Sequence, residues 1–345
     1  MRKFLTPLKD TTLYANNPTL NAGQDEILRV GKTYSSSFSN RSLMSFDLSS
    51  IQTGISNGVI PPTSKFFLNI KLANATNMNN PEVVYIYPVS QSWIEGTGTA
   101  METNWNPSDG ASWNYRSNPK LGLTWSGGSY YTNVSSIDTE VTCSLTYPLT
   151  DIIADVTNIV GVWLSGSIEN NGFILKISDV EEIDSGSNAN IELYSSETDT
   201  FYVPTLEVAW NDQIYVTASL NQSNIDNVHI GIKNLQNSYY VGTNNRINLS
   251  VRDQYPLKTF SNVFTRYAGN QFVPSSSYYS ILEDVTNKVI IPFDVYSPLS
   301  CDSSGSYFMM DTSGMVSGRY YRILINICTN YSNRIFDTQT TFKAI

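Results

Sequence analysis

The sequence predicts an all-β protein built from two β-sandwiches, the first carrying one short helix and the second immunoglobulin-like. Three observations predict it. Short apolar runs rich in β-branched and aromatic residues recur along the chain, separated by turn residues. The 345 residues include 22 Tyr, while charged residues make up only 15%, a palette suited to pleated, half-buried surfaces. One segment alone, Asp151 to Gly166, reads as a helix, because Ile152, Val156, Ile159, Val160 and Trp163 recur at helical spacing.

In order, Leu43 to Leu48, Phe66 to Leu72 and Val83 to Val89 read as strands. The polar segment from Glu95 to Val141 holds Trp105, Trp113 and Trp125 and predicts a long loop pinned by its tryptophans. After the helix, Gly172 to Ile177, Ile191 to Tyr194 and Thr205 to Trp210 read as strands, with Trp93 and Trp163 in the core. Asn211-Asp212 is the expected junction, giving domains over 1–210 and 211–345. Beyond it, strands are expected at Ile214 to Leu220, His229 to Ile232, Ile247 to Arg252, Lys288 to Phe293, Tyr307 to Met310 and Tyr320 to Ile327. Short strands at this spacing argue an immunoglobulin-like sandwich.

Composition excludes several classes. A net charge of −9 with no basic cluster argues against nucleic acid as a partner. No stretch approaches the roughly 18 consecutive apolar residues that span a bilayer, so no membrane segment is expected. The opening Met1 to Pro7 has no apolar core of a signal peptide, which predicts folding in the compartment of synthesis. Cys143, Cys301 and Cys328 are too far apart for a zinc motif, so free thiols and no disulfide framework are expected.

Catalysis finds little to stand on. A hydrolytic triad needs a His base, and the one His, His229, lies inside an apparent strand. Glu95, Glu102 and Asp109 supply carboxylates near the tryptophan loop, yet no localised pair that glycoside hydrolysis would need. The expectation is no enzyme, no catalytic residues and no cofactor. Asp10, Asp25, Glu26 and Asp47 are hard-oxygen candidates for structural calcium, without an EF-hand loop. Trp105, Trp113, Trp125, Tyr130 and Tyr131 form the candidate contact site, either as a sugar-stacking platform or as packing and protein contact.

Several ordered motifs carry a resemblance. They are Asp10 to Tyr14, Pro18 to Gly23, Glu26 to Gly31, Arg41 to Ile51, Val84 to Val89 and Ser92-Trp93-Ile94-Glu95-Gly96. Asp155-Val156-Thr157, Trp163 to Gly166 and Asn171 to Ile174 complete the order. Together they resemble the DNRLRE domain, which implies a jelly-roll β-sandwich similar to carbohydrate-binding modules. The insert between Glu95 and Asp151 departs from that pattern. The second part is similar to a domain found at the end of tailed-phage virion proteins, on Ile230 to Lys233, Arg252 to Phe260, Ser277 to Tyr279, Ile290 to Asp294 and Ser300 to Phe308.

The two resemblances imply a bacteriophage virion structural protein, in a capsid-decorating, tail, baseplate or fibre-anchoring place. It would act by protein–protein assembly, with other virion proteins and itself as partners in a symmetric oligomer, and would be assembled in the host cytoplasm. The alternative is a carbohydrate-binding adhesin module that recognises host surface glycans. The two differ in whether the aromatic loop shows stacking faces to solvent or buries them.

Overall fold

The computed structural model describes residues 1–32, 38–79, 81–100, 109–146, 150–184, 189–255, 271–329 and 332–345. Two compact units are formed, Leu5–Val208 and the combination of Met1–Phe4 with Ala209–Ile345.

In the first unit the larger sheet runs Val141–Leu145, Glu82–Pro88, Phe173–Lys176, Ser39–Phe46, Ile27–Lys32, Asn190–Tyr194, Leu72–Thr76, with Pro7–Tyr14 paired on Ser39–Phe46. A smaller sheet contains Thr205–Ala209, Lys65–Ile70 and Ile152–Asp155. Alternation on the strands fixes which residues face which way. On Glu82–Pro88, Val84 and Ile86 are fully buried, while Tyr85 and Tyr87 stand on the opposite face. That opposite face is not wet. Leu13, Leu43, Tyr87, Val89, Trp93, Ala111 and Ile174 form a second apolar cluster there, with Tyr85, Trp113, Trp125 and Tyr130 packed against it. The sheet is therefore apolar on both sides, one covered by the sandwich interior and one by the segment after Trp93.

The helix lies at Thr157–Leu164, shorter than the Asp151 to Gly166 run predicts. Ile152–Asp155 is a strand instead, with Ile152 and Ala154 buried and Ile153 exposed, paired antiparallel to Lys65–Ile70. Asp155 marks the change: its carboxylate accepts the Thr157 N–H at 3.0 Å, supplying the first turn of the helix with an acceptor. Gly166, at φ +73°, ends it in the left-handed conformation that glycine adopts most readily. Two further short helices, Ser49–Ser56 and Asp179–Ile183, appear where one was expected. Asp179–Ile183 opens with a capping box, the Ser178 hydroxyl accepting from Glu181 N–H and the Glu181 carboxylate accepting from Ser178 N–H.

In the second unit Val228–Ile232, Asn244–Asp253, Gly305–Asp311 and Ser300–Asp302 form one sheet. Ser238–Tyr239, Asn333–Ala344, Tyr320–Cys328, Tyr278–Glu283 and Val289–Ile291 form the other. Their inner faces share one core, in which Tyr279 stacks on Phe308 at 4.1 Å between ring centroids. His229 is exposed beside Arg252 on the paired strand, away from that core. Among the described residues all three cysteines are free thiols, Cys143 and Cys301 buried and Cys328 half-buried. No helix among those residues is long and apolar enough to cross a membrane.

Candidate functional site

Two places in the first unit gather chemistry-bearing side chains: an aromatic ledge with a polar recess, and a set of three carboxylates.

The ledge begins on Glu82–Pro88. Tyr85 and Tyr87 are two residues apart, so both rings leave the same side of the strand, and they lie nearly parallel, 6.3 Å apart and 10° between planes. Tyr130 continues the stack onto Tyr87 at 4.7 Å and 25°. Its position follows from the Tyr130 bridge to Val89 and from the Tyr131 N–H, which donates to the Pro88 carbonyl at 3.0 Å. Tyr87 donates its hydroxyl to Glu140 at 2.8 Å. Burial and that carboxylate together raise the phenol above its usual range.

Beside Glu140 an open recess of about 600 Å³ is lined by Thr132, Asn133, Ser136, Asp138 and Glu140. Its rim is the hairpin Asn133–Val134 with Ile137–Asp138. The two turn residues, Ser135 and Ser136, have φ of +48° and +69°. Such a turn normally carries Asn-Gly, so two serines here hold a costly backbone conformation at the mouth of the recess.

Beneath the ledge, Lys176 is 1% exposed and pairs with Glu182 at 3.2 Å and with Asp179. Arg41 pairs with the same Glu182 at 2.6 Å and lies over the Trp113 ring at 5.1 Å. Lys176 lies 5.6 Å from the Tyr130 ring centroid. Carboxylates thus tie up both cations, and the recess itself offers hydroxyl, amide and carboxylate groups.

The predicted contact residues separate. Trp113, Trp125 and Tyr130 come together over the apolar cluster. The Trp125 indole N–H donates to the Ser112 carbonyl at 2.7 Å, and a Cβ at Gly127 would stand 2.7 Å from the Trp113 ring. Both tryptophans are half-buried packing residues. Tyr131 is 36% exposed and outside the cluster, and Trp105 lies outside the described residues. Tyr85, Tyr87 and Glu140 were missed by the sequence reading, although Tyr85-Ile86-Tyr87 shows the alternation that puts both rings on one side.

The carboxylate set joins Asp10, Glu95 and Glu197, one oxygen of each lying within 4.8 Å of the others. Asn21 builds it. Fully buried, Asn21 donates to the Glu95 and Ala111 carbonyls at 2.6 and 2.8 Å and accepts from Gly98 N–H at 2.8 Å. That fastens the chain after Trp93 against the start of the unit. Glu95 then accepts the Asp10 N–H at 2.7 Å, and Asp10 accepts the Ser196 N–H at 2.7 Å. Burial pushes the Glu95 carboxyl up to about 7. Burial, with the Glu197 charge beside it, raises Asp10 well above the carboxylate range.

Of the calcium candidates, only Asp10 is here. Asp25 accepts from Ala100 N–H, Asp47 from Ser49 N–H and O–H, and Glu26 is exposed. Asp109 accepts from Thr97 N–H and O–H, which fixes a turn and leaves it unpaired with Glu95. Glu102 lies outside the described residues.

No curated protein matches the chain. Among solved structures, a DUF4785 family protein of Legionella pneumophila is 10% identical over 100% of this chain and 61% of its own, with a TM-score of 0.19. The β-glucuronidase 3 of Bacteroides uniformis is 8% identical over 88% of this chain and 27% of its own, with a TM-score of 0.22. The chain spans less than two thirds of each, and likenesses this weak carry no argument. Residues 2–118 match Carbohydrate-binding module family 96, and the N-terminal part of this protein is accordingly carbohydrate-binding-module-like.

Proposed function

We propose that the first unit binds carbohydrate through the Tyr85–Tyr87–Tyr130 ledge and the adjoining recess, and that it binds without turnover. The observation that carries this reading is the family match over residues 2–118, which favours the glycan-binding alternative over assembly into a virion. The geometry supplies a place for it. Tyr87 is buried between Tyr85 and Tyr130, so it is those two half-buried rings that offer apolar surface to the C–H side of a sugar ring. Asn133, Asp138 and Glu140 offer acceptors for sugar hydroxyls. Because the described residues that line the recess include two carboxylates and no cation, neutral glycans fit it and uronates are repelled. Assembly with other virion proteins and with itself is the second reading, and it rests on the sequence resemblance alone.

Affinity electrophoresis through gels containing neutral or uronate polysaccharides tests the proposal. At least one neutral polysaccharide retards the chain, and Tyr130→Ala and Glu140→Gln lose the retardation. Tyr255→Ala, at a 75% exposed residue of the second unit, keeps it. Retardation unchanged in Tyr130→Ala, with its fold checked by circular dichroism, sinks the site. Binding of uronates alone sinks the specificity.

A further inference from the structure

The carboxylates of Asp10, Glu95 and Glu197 play no part in that sugar-binding reading. Their oxygens lie within 4.8 Å of one another, a span that a cation with ligand distances of about 2.3–2.6 Å can bridge. Each carboxylate has one oxygen held by a protein donor. Asp10 Oδ2 takes the Ser196 N–H, Glu95 Oε1 the Asp10 N–H, and Glu197 Oε2 the Ser196 hydroxyl at 2.8 Å. These bonds fix how the three carboxylates are turned.

An independent observation points the same way. Asp10 is 1% exposed, yet its Oδ1 has no hydrogen-bond partner. A buried carboxylate oxygen left without a donor is costly, and here it sits inside a set of like charges. The neighbouring cation, Lys9, does not fill the gap: its ammonium donates to the Trp93 carbonyl and lies 4.1 Å from the Trp93 ring centroid.

We infer that Asp10, Glu95 and Glu197 form a calcium site, with Asp10 Oδ1 as one ligand. The donor set is all oxygen, with no His or Cys, which selects a hard cation over zinc or copper. Half-exposed Glu95 and Glu197 leave room for water ligands, and calcium accepts that irregular, higher coordination more readily than magnesium. The three ligands come from the strand Pro7–Tyr14, the chain after Trp93 and the segment after Asn190–Tyr194. The ion would therefore clip together parts of the unit that are far apart in sequence, and its binding would add directly to folding stability.

The test uses the full chain after chelator treatment. Calorimetric titration with calcium chloride, and separately magnesium chloride, is paired with thermal unfolding at rising metal concentration. The expected result is one calcium bound per chain and an unfolding temperature that rises with calcium. Asp10→Asn abolishes both effects, and Glu197→Gln weakens binding about tenfold or more. Asp25→Asn binds as the parent does. Should Asp10→Asn fail to fold, Glu197→Gln and the parent chain decide the matter. Absence of saturable calcium binding, binding of magnesium alone, or equal calcium affinity in Glu197→Gln would overturn the site.

Discussion

The Lys176 ammonium lies 3.2 Å from the Glu182 carboxylate, with the two side chains 1% and 9% exposed. The same carboxylate also serves Arg41, whereas Lys176 has a second, more exposed partner in Asp179. Removing one partner of a buried pair strands the other charge. Glu182→Ala should therefore destabilise the first unit by about 3–5 kcal/mol, read from urea unfolding. A loss below about 1 kcal/mol would mean that water solvates these charges, as at exposed pairs.

Gly172, at φ +89°, brings its backbone against Met44, where an added Cβ would overlap the Met44 carbonyl. Gly166 has a similar φ of +73° but open space around it. Gly166→Ala should cost about 1 kcal/mol, the conformational penalty alone. Gly172→Ala adds a backbone clash and should cost about 4 kcal/mol or more. Equal losses in the two variants would refute the close approach.

Asp302 accepts from the Ser304 N–H and hydroxyl and pairs with Arg246 at 2.5 Å. The Ser304 hydroxyl bond, aided by Arg246, holds its carboxyl down at about 2. A depressed folded value means that the stabilisation is present above the ordinary 3.8 and is lost as pH falls through about 2. In acid titrations of the second unit, Asp302→Asn should be less stable than the parent at pH 6. The two should converge by about pH 2. A gap that stays constant with pH would show that the carboxylate charge plays no part.

Phe308 is 1% exposed and stacks on Tyr279, itself 1% exposed. Phe308→Ala should cost the second unit about 3–5 kcal/mol in guanidinium unfolding. Phe308→Leu, which keeps most of the volume, should cost clearly less. If the two substitutions cost the same, stacking geometry rather than lost volume sets the penalty.

The all-β class was legible because strands leave a strong local trace, as Val83 to Val89 does with its alternating rings. Ile152 to Asp155 was not, because Ile152, Val156 and Ile159 fit a helical face as well as a strand end. Pairing with Lys65–Ile70 decided for the strand, and a sequence does not display its partners. The acidic site shows the same limit. Asp10 stood out as one of four hard-oxygen candidates, but Glu95 and Glu197 join it only through hydrogen bonds across the fold, from Asn21 and Ser196. Trp113 and Trp125 drew attention by size, and burial then made packing residues of them. Tyr85 and Tyr87 were hidden in a segment that read simply as a strand.

The larger sheet of the first unit is apolar on both sides, and residues 109–131 supply much of the second covering. A surface loop can ordinarily be shortened at little thermodynamic loss. Here, shortening would bare Leu13, Leu43 and Ile174, all fully buried, as one oily patch. Chains trimmed in this segment would be expected to clump before they lost their strands. The segment that leads into the recess is thus also what keeps that face of the sheet covered, so tolerated variation is confined to its outward side chains, while the inward ones stay fixed.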